Sequence, residues 1–268
     1  MRIYLAADIE GCAGYVSHEE GKQGTYLYPY FQKEMSKEVS AVCRGALEGG
    51  AEDILVHDAH GCARNLEPSL LPKEVKLMRL SGGDPYAMLS GIQEEKYDAV
   101  FMTGFHVGAG SAESPVSHTF NHNTAEIFLN GDRLSEFLFN VYSASSLGIP
   151  VPFVSGDEGI CKFAKSLIPG ITTVEAVKGY GLGSISPHPD VVCEELEKAA
   201  AEALCGDWRS CILPLPASFE VLIRFHKTGD AYFNSFYPGI RQTDSYTLKY
   251  TADKWFDVLT MIHFVLDK

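Results

Sequence analysis

Basic residues are in short supply in this chain: 22 Lys and Arg face 35 Asp and Glu, a formal charge of −13. Phosphate backbones and anionic membrane surfaces are bound by clustered Lys and Arg, so the composition excludes nucleic acid and membrane as expected partners. Long apolar runs are missing too. The opening stretch MRIYLAADIEG meets a carboxylate at Asp8 before it can build a secretory apolar segment or a membrane span, and a cytoplasmic location is the expectation. No two of the seven cysteines form a CxxC pair, and the odd set fits reduced thiols better than a disulfide framework or a zinc knuckle. Cys12 and Cys62 each stand two residues beyond a candidate ligand, yet they too read as small residues packed under a site. Internal repeats and low-complexity segments are absent.

What is present is enough to bury one large core: 268 residues, 46% of them hydrophobic and 11% aromatic. In the first half, β-rich runs at Ile3–Ala7, Ile54–Val56 and Ala99–Thr103 alternate with helical stretches such as Phe31–Gly49. A helix over Ser135–Leu147 leads to a further run, Val151–Val154, and then to a helix at Glu158–Leu167. The alternation predicts an α/β fold, a parallel-sheet core with crossover helices. The Gly-rich stretch Gly179–Gly183 lacks the preceding strand and following acid of a dinucleotide site, and reads instead as a flexible loop near the active-site mouth. After a helix at Pro189–Leu204, Pro214-Leu215-Pro216 marks a break before strands at Glu220–Arg224 and Tyr246–Tyr250 and an amphipathic helix, Ala252–Leu266. The expected organisation is a catalytic core over residues 1–212 and a smaller C-terminal α+β appendage over 213–268.

Three β-rich runs close on residues of metal-binding type: Leu5-Ala6-Ala7-Asp8-Ile9-Glu10, Leu55-Val56-His57-Asp58-Ala59-His60 and Phe101-Met102-Thr103-Gly104-Phe105-His106. In open α/β sheets ligands collect beyond the carboxyl ends of strands, so these ends are expected to be neighbours. Extended backbone puts residues i and i+2 on one face, which lets Asp8 and Glu10 address one point while Ile9 packs inward. The same period separates Asp58 and His60 from His57, read as a hydrogen-bonded core or surface histidine. Two carboxylates side by side in a crevice repel unless a cation neutralises them. Mixed carboxylate and imidazole donors suit zinc, with manganese, cobalt or iron chemically admissible. Asp8, Glu10 and His60 can hold one cation, and a bridging Asp8 can share a second with His106 and a further carboxylate. Glu136, at the start of a helix, is a candidate for that place, although spacing alone leaves it open. Either His118 or His122, in the loop after His106, can supply acid–base or electrostatic catalysis. His18, His188, His226 and His263 close no first-half strand and read as structural.

Taken in order, Ala7-Asp8-Ile9-Glu10-Gly11, His57-Asp58-Ala59-His60, Gly104-Phe105-His106, Ser117-His118 and Glu136 resemble the motifs of the bacterial zinc D-aminopeptidase family, first associated with dipeptide-transport operons. The resemblance is clearest over residues 1–165 and extends more loosely through Ala176-Val177-Lys178 to the C-terminal helix. It implies two zinc ions per subunit, with Asp8 bridging, Glu10 and His60 completing one site, and His106 and Glu136 the other. It implies His118 as the catalytic histidine, described in the family as a nucleophile; an acid–base or oxyanion-stabilising role fits its chemistry better. Two cations about 3.5–4 Å apart lower the pKa of a shared water and polarise a scissile carbonyl. The implied activity is hydrolysis of the N-terminal amide of short D-amino-acid-containing peptides or amides, in a ring-like homodecamer that excludes folded proteins. The segment Val107–Ser114 departs from the family pattern and bears on residue and stereochemical preference. Two other readings stand beside this one: a metal-dependent amidase for another small substrate, and a ring-forming scaffold without catalysis.

Overall fold

The computed structural model describes residues 1–266. Its strands, in chain order, are β1 Arg2–Ala7, β2 Asp53–Asp58, β3 Val75–Arg79, β4 Ala99–Phe105, β5 Thr124–Leu129, β6 Asp132–Arg133, β7 Phe153–Asp157, β8 Thr172–Tyr180, β9 Gly183–Ile185, β10 Phe219–Phe225, β11 Arg241–Gln242 and β12 Thr247–Ala252. The α-helices are α1 Tyr28–Glu48, α2 Glu136–Ser146, α3 Glu158–Leu167, α4 Pro189–Glu202, α5 Thr228–Asn234 and α6 Trp255–Leu266.

After Arg2, β1 is buried throughout, with no polar alternation, because both faces of its sheet are covered. Ile3, Leu5 and Ala7 enter a core shared with α1 and α4, while Tyr4 and Ala6 enter a second core shared with α2, α6 and the smaller sheet. The larger sheet runs in the order β3-β2-β1-β4-β7-β8-β9 and is parallel except for β9, confirming the α/β expectation. From β1 the chain moves outward through β2 to β3, then returns to β4 on the other side of β1 and moves outward again. The order therefore reverses between β1 and β4, and a crevice opens beyond their carboxyl ends, the usual ligand position in such sheets. Register places Ala7 beside both Asp58 and Thr103, so the ends of β1, β2 and β4 stand at one level.

The smaller sheet is antiparallel, in the order β11-β12-β10-β5-β6. Its β10 and β12 come from beyond residue 213, and its β5 and β6 from residues 124–133. An aromatic cluster locks α2 onto this layer: Trp255 packs on Phe139, Tyr142 and Phe219, and its indole N–H donates to Ser143 Oγ at 3.1 Å. That anchoring fixes the start of α2, where Glu136 sits.

The expected mouth loop at Gly179–Gly183 is corrected. Gly179 and Tyr180 end β8, Gly181 turns the chain at φ +60° into β9, and none of the stretch lines the large cavity. Glycine is needed at 179 because the backbone passes against Glu113, whose carbonyl oxygen would lie 2.2 Å from a Cβ there. All seven cysteines are free. Among the described residues no helix is long and apolar enough to cross a membrane.

Candidate metal centre

Backbone hydrogen bonds carry the sheet ladder past the end of β1: Asp8 N–H donates to Thr103 O at 2.9 Å and Gly11 N–H to Gly104 O at 2.8 Å. Gly104 adopts φ +74°, and a Cβ there would stand 2.1 Å from Asp8 O, so only glycine lets the two strand ends meet. On the other side Ala59 N–H donates to Ala7 O at 2.9 Å, which brings His60 up beside Asp8. Glu136 is the first residue of α2, where Ser135 caps the helix by accepting from Leu138 N–H at 3.2 Å. Phe120, at φ +62°, donates its N–H to Glu136 Oε1 at 2.6 Å. A left-handed conformation is unusual for a bulky residue, and here it aims a backbone donor at a buried carboxylate.

These supports bring all five residues named from the sequence to one place. Asp8, Glu10, His106 and Glu136 are buried, at 2%, 4%, 1% and 6% exposure. Asp8 Oδ1 lies 3.0 Å from His60 Nδ1 and Asp8 Oδ2 lies 3.6 Å from His106 Nε2, so each carboxylate oxygen faces a different imidazole. Glu10 Oε2 stands 3.5 Å from His60 Nδ1, and Glu136 Oε2 stands 3.8 Å from His106 Nε2. Ligand atoms of Asp8, Glu10 and His60 all fall within 4.8 Å of one another, as do those of Asp8, His106 and Glu136.

The tautomers are set by backbone carbonyls, which can only accept. His60 Nε2 donates to Gly21 O at 3.2 Å, leaving Nδ1 toward the carboxylates. His106 does the reverse: Nδ1 donates to Val107 O at 2.9 Å and Nε2 faces inward. Among the described residues that Nε2 is buried without a hydrogen-bond partner, although Asp8, Glu10 and Glu136 oxygens surround it at 3.6, 3.7 and 3.8 Å. Such separations are too long for hydrogen bonds. They are close to the about 3.3 Å that separates donors sharing a tetrahedral zinc at about 2.0 Å each. The donor set therefore fits a divalent transition metal.

Charge tells the same story. For Glu10, burial pushes the carboxyl upward, but His118, His18, His60 and His106 outweigh it and hold Glu10 well below the usual carboxylate range. For Glu136 burial prevails over His106 and His118, and its pKa is raised. Burial opposes charge on His60 and His106, yet the facing carboxylates lift them to about 10 and about 9. Without a cation, protons do the neutralising.

His118 sits in the same cluster. Its Nδ1 is 3.0 Å from Val116 O, its Nε2 is 3.4 Å from Glu10 Oε2, and its ring stacks on His106 at 4.5 Å and 12°. Two neighbours escaped the sequence reading. His18, taken as structural, places Nδ1 2.7 Å from Glu10 Oε1. Asp157 caps α3 through Ile160 N–H at 2.7 Å and also accepts from Val107 N–H at 2.9 Å, fixing the residue next to His106. Its strand-end Asp before a helix was the available signal. His57 is a core histidine, buried with Nδ1 2.7 Å from Met88 O, and Asp58 is consumed by Asn65 and Leu66 N–H groups. Cys12 is buried, Cys62 lies near Asn65 Oδ1, and among the described residues neither joins a group of ligand atoms. A cavity of about 1020 Å³ opens over the cluster, walled by Ala59, Leu80, Met88 and Phe120, with Lys22 and Glu19 among its charged lining.

A model of the D-aminopeptidase family matches residues 1–264. The chain belongs to that family. It is 26% identical over 256 residues to the D-aminopeptidase of Bacillus subtilis (strain 168), covering 94% of this chain and 92% of that protein. In fold it is similar to the Zn-dependent D-aminopeptidase DppA from Bacillus subtilis, described as a self-compartmentalizing protease, with a TM-score of 0.91 and 23% identity. That likeness covers 100% of this chain and 97% of the other. Family membership makes the chain an aminopeptidase, a hydrolase of N-terminal amide bonds, in agreement with the resemblance its strand-end motifs carry.

Proposed function

We propose that this chain is a binuclear zinc aminopeptidase that releases an N-terminal D-residue from short peptides or aminoacyl amides. The observation that carries the reading is the division of labour at Asp8, with Oδ1 facing His60 and Oδ2 facing His106. It separates the donors into two half-sites, Asp8-Glu10-His60 and Asp8-His106-Glu136, joined by one carboxylate. The zinc dependence of the fold neighbour supports the choice of metal.

Two such cations supply Lewis acidity, polarising the scissile carbonyl and making water nucleophilic at neutral pH. The chain's own residues do the rest. With Nδ1–H anchored on Val116 O, His118 presents Nε2 to the cavity beside Glu10 and Glu136. A proton on that nitrogen donates to the developing tetrahedral oxyanion or passes to the departing amine. The carboxylates are buried under the cavity floor, where low dielectric strengthens each of these contacts. The self-compartmentalizing description of the neighbour supports a closed, ring-like homo-oligomer here, a decamer by resemblance, that admits only short substrates.

Metal analysis of the purified protein, with a matched panel of D- and L-aminoacyl amides, tests the reading. Two tight metal equivalents per chain and faster turnover of the D-series are expected, and His118→Ala should keep both metals while losing turnover. Two metals with no hydrolysis of either series would favour the scaffold, and full turnover by His118→Ala would remove that residue from the mechanism.

A further inference from the structure

His18 and His122 have no part in the five-ligand cluster, yet with His118 they form a second group at its rim. Ring centroids lie 5.2 Å apart for His18 and His118, 4.2 Å for His18 and His122, and 4.6 Å for His118 and His122. One ring nitrogen from each falls within 4.8 Å of the other two. Three imidazoles meeting beside one buried carboxylate, Glu10, which lies 2.7 Å from His18 Nδ1 and 3.4 Å from His118 Nε2, are a common transition-metal donor set. Two of the rings are oriented from behind, His118 by Val116 O and His18 by Glu10. His18 is held through Nδ1 by Glu10 Oε1 at 2.7 Å, a carboxylate–imidazole arrangement that orients the ring and leaves Nε2 as its free donor. The rings come from two loops, residues 8–27 between β1 and α1 and residues 106–123 between β4 and β5. The His18 side chain is 40% exposed and His122 is exposed, so the rings have room to close to the about 3.3 Å between donors of a tetrahedral zinc.

We infer that His18, His118 and His122 form a third, weaker transition-metal site whose occupancy withdraws His118 from catalysis. The three rings must be neutral to ligate, so binding releases any proton they carry. An ion here leaves the His118 Nε2 lone pair engaged and unable to hold a proton for the leaving amine. Excess zinc therefore inhibits the enzyme that zinc activates. Ion binding stands independently of the binuclear proposal, whereas the inhibition rests on the role given there to His118.

The test uses the assembled, metal-containing enzyme, freed of excess ion and titrated with zinc chloride. Bound zinc is measured by equilibrium dialysis while hydrolysis of a D-aminoacyl amide is followed in parallel. One further equivalent per chain should bind, with inhibition tracking its occupancy. In His122→Ala the tight equivalents should remain while the further one weakens at least about tenfold, since losing even an outer-shell partner costs about 10–100-fold in affinity. Inhibition should shift to higher zinc by the same factor, and His122→Cys, which restores a zinc donor, should recover the further equivalent. A thermal melt confirms that each variant folds. The inference fails if no further equivalent binds, or if His122→Ala binds it unchanged; it fails in its inhibitory half if the equivalent binds and hydrolysis continues. A His122-dependent ion in a protein without two tight equivalents would sink the binuclear proposal and leave this site standing.

Discussion

Glu38 offers a stability measurement that bears on how the ligand loop is held. It lies on α1, is 1% exposed, and accepts from Ala13 N–H at 2.8 Å, which ties the helix to the loop that follows Glu10. Its second oxygen is buried without a hydrogen-bond partner among the described residues. Burial raises its pKa from 4.5 to about 7, against the pull of Ala13 N–H and Cys12, with Glu34 adding to the rise. Between those values the folded chain keeps a proton that the unfolded chain has released, so stability falls as pH rises through this window and levels off above it. At about 1.4 kcal/mol per pH unit, a displacement from 4.5 to about 7 is worth on the order of 3 kcal/mol. Glu38→Gln keeps the acceptor for Ala13 but cannot ionise. Relative to wild type, the variant should gain on the order of 3 kcal/mol between pH 5 and pH 8, read from urea unfolding at matched metal content. Parallel pH profiles for the two proteins would refute the reasoning, because they would mean that the buried carboxyl titrates no differently when folded.

Asp8→Asn should abolish both tight metal equivalents, whereas Glu136→Gln should weaken one, by more than the roughly 10–100-fold that loss of an outer-shell partner costs; elemental analysis after dialysis distinguishes them. In metal-free protein His60 and His106 have folded pKa values of about 10 and about 9 against an ordinary 6.5. Their contribution to stability is therefore complete below pH 6.5 and lost as pH rises through 9 and 10, so the thermal midpoint of the metal-free chain should fall over that range and added zinc should restore it. Ser135→Ala removes the cap that accepts from Leu138 N–H and should cost about 1 kcal/mol in urea unfolding.

The ligand cluster was legible because it is built from strand ends. Asp8, Glu10, His60 and His106 each close a short apolar run, and the strand period of two aims alternate side chains at one point. The parallel sheet followed from the same runs. Glu136 was not readable from spacing, since its place depends on the aromatic anchoring of α2 by Trp255, which joins distant parts of the chain. His18 was missed for a similar reason: it lies in a loop without periodicity and meets His118 and His122 only when two loops close over the crevice. The hairpin of β5 and β6 did carry a signal. Asn130 and Gly131 connect the two strands at φ +51° and +94°, as the Asn-Gly pair of a tight hairpin does, with the β-prone Ile127-Phe128-Leu129 before them. Gly179–Gly183 misled because glycine serves close backbone approach as readily as it serves a mobile loop.

Three carboxylates buried together are tolerated in the metal-free chain only because neighbouring imidazoles stay charged and Glu136 shifts toward its neutral form. The atoms that carry those imidazole protons are fixed by Gly21 O and Val107 O, which occupy His60 Nε2 and His106 Nδ1. The protons to be displaced therefore sit on His60 Nδ1 and His106 Nε2, the nitrogens that face the two oxygens of Asp8. Metal capture in this arrangement exchanges protons for cations at atoms already aimed, with little side-chain reorganisation to oppose it. The supporting contacts then matter as much as the donors: Gly104, which lets β4 meet Asp8, and Asp157, which fixes Val107, hold the geometry on which that exchange depends.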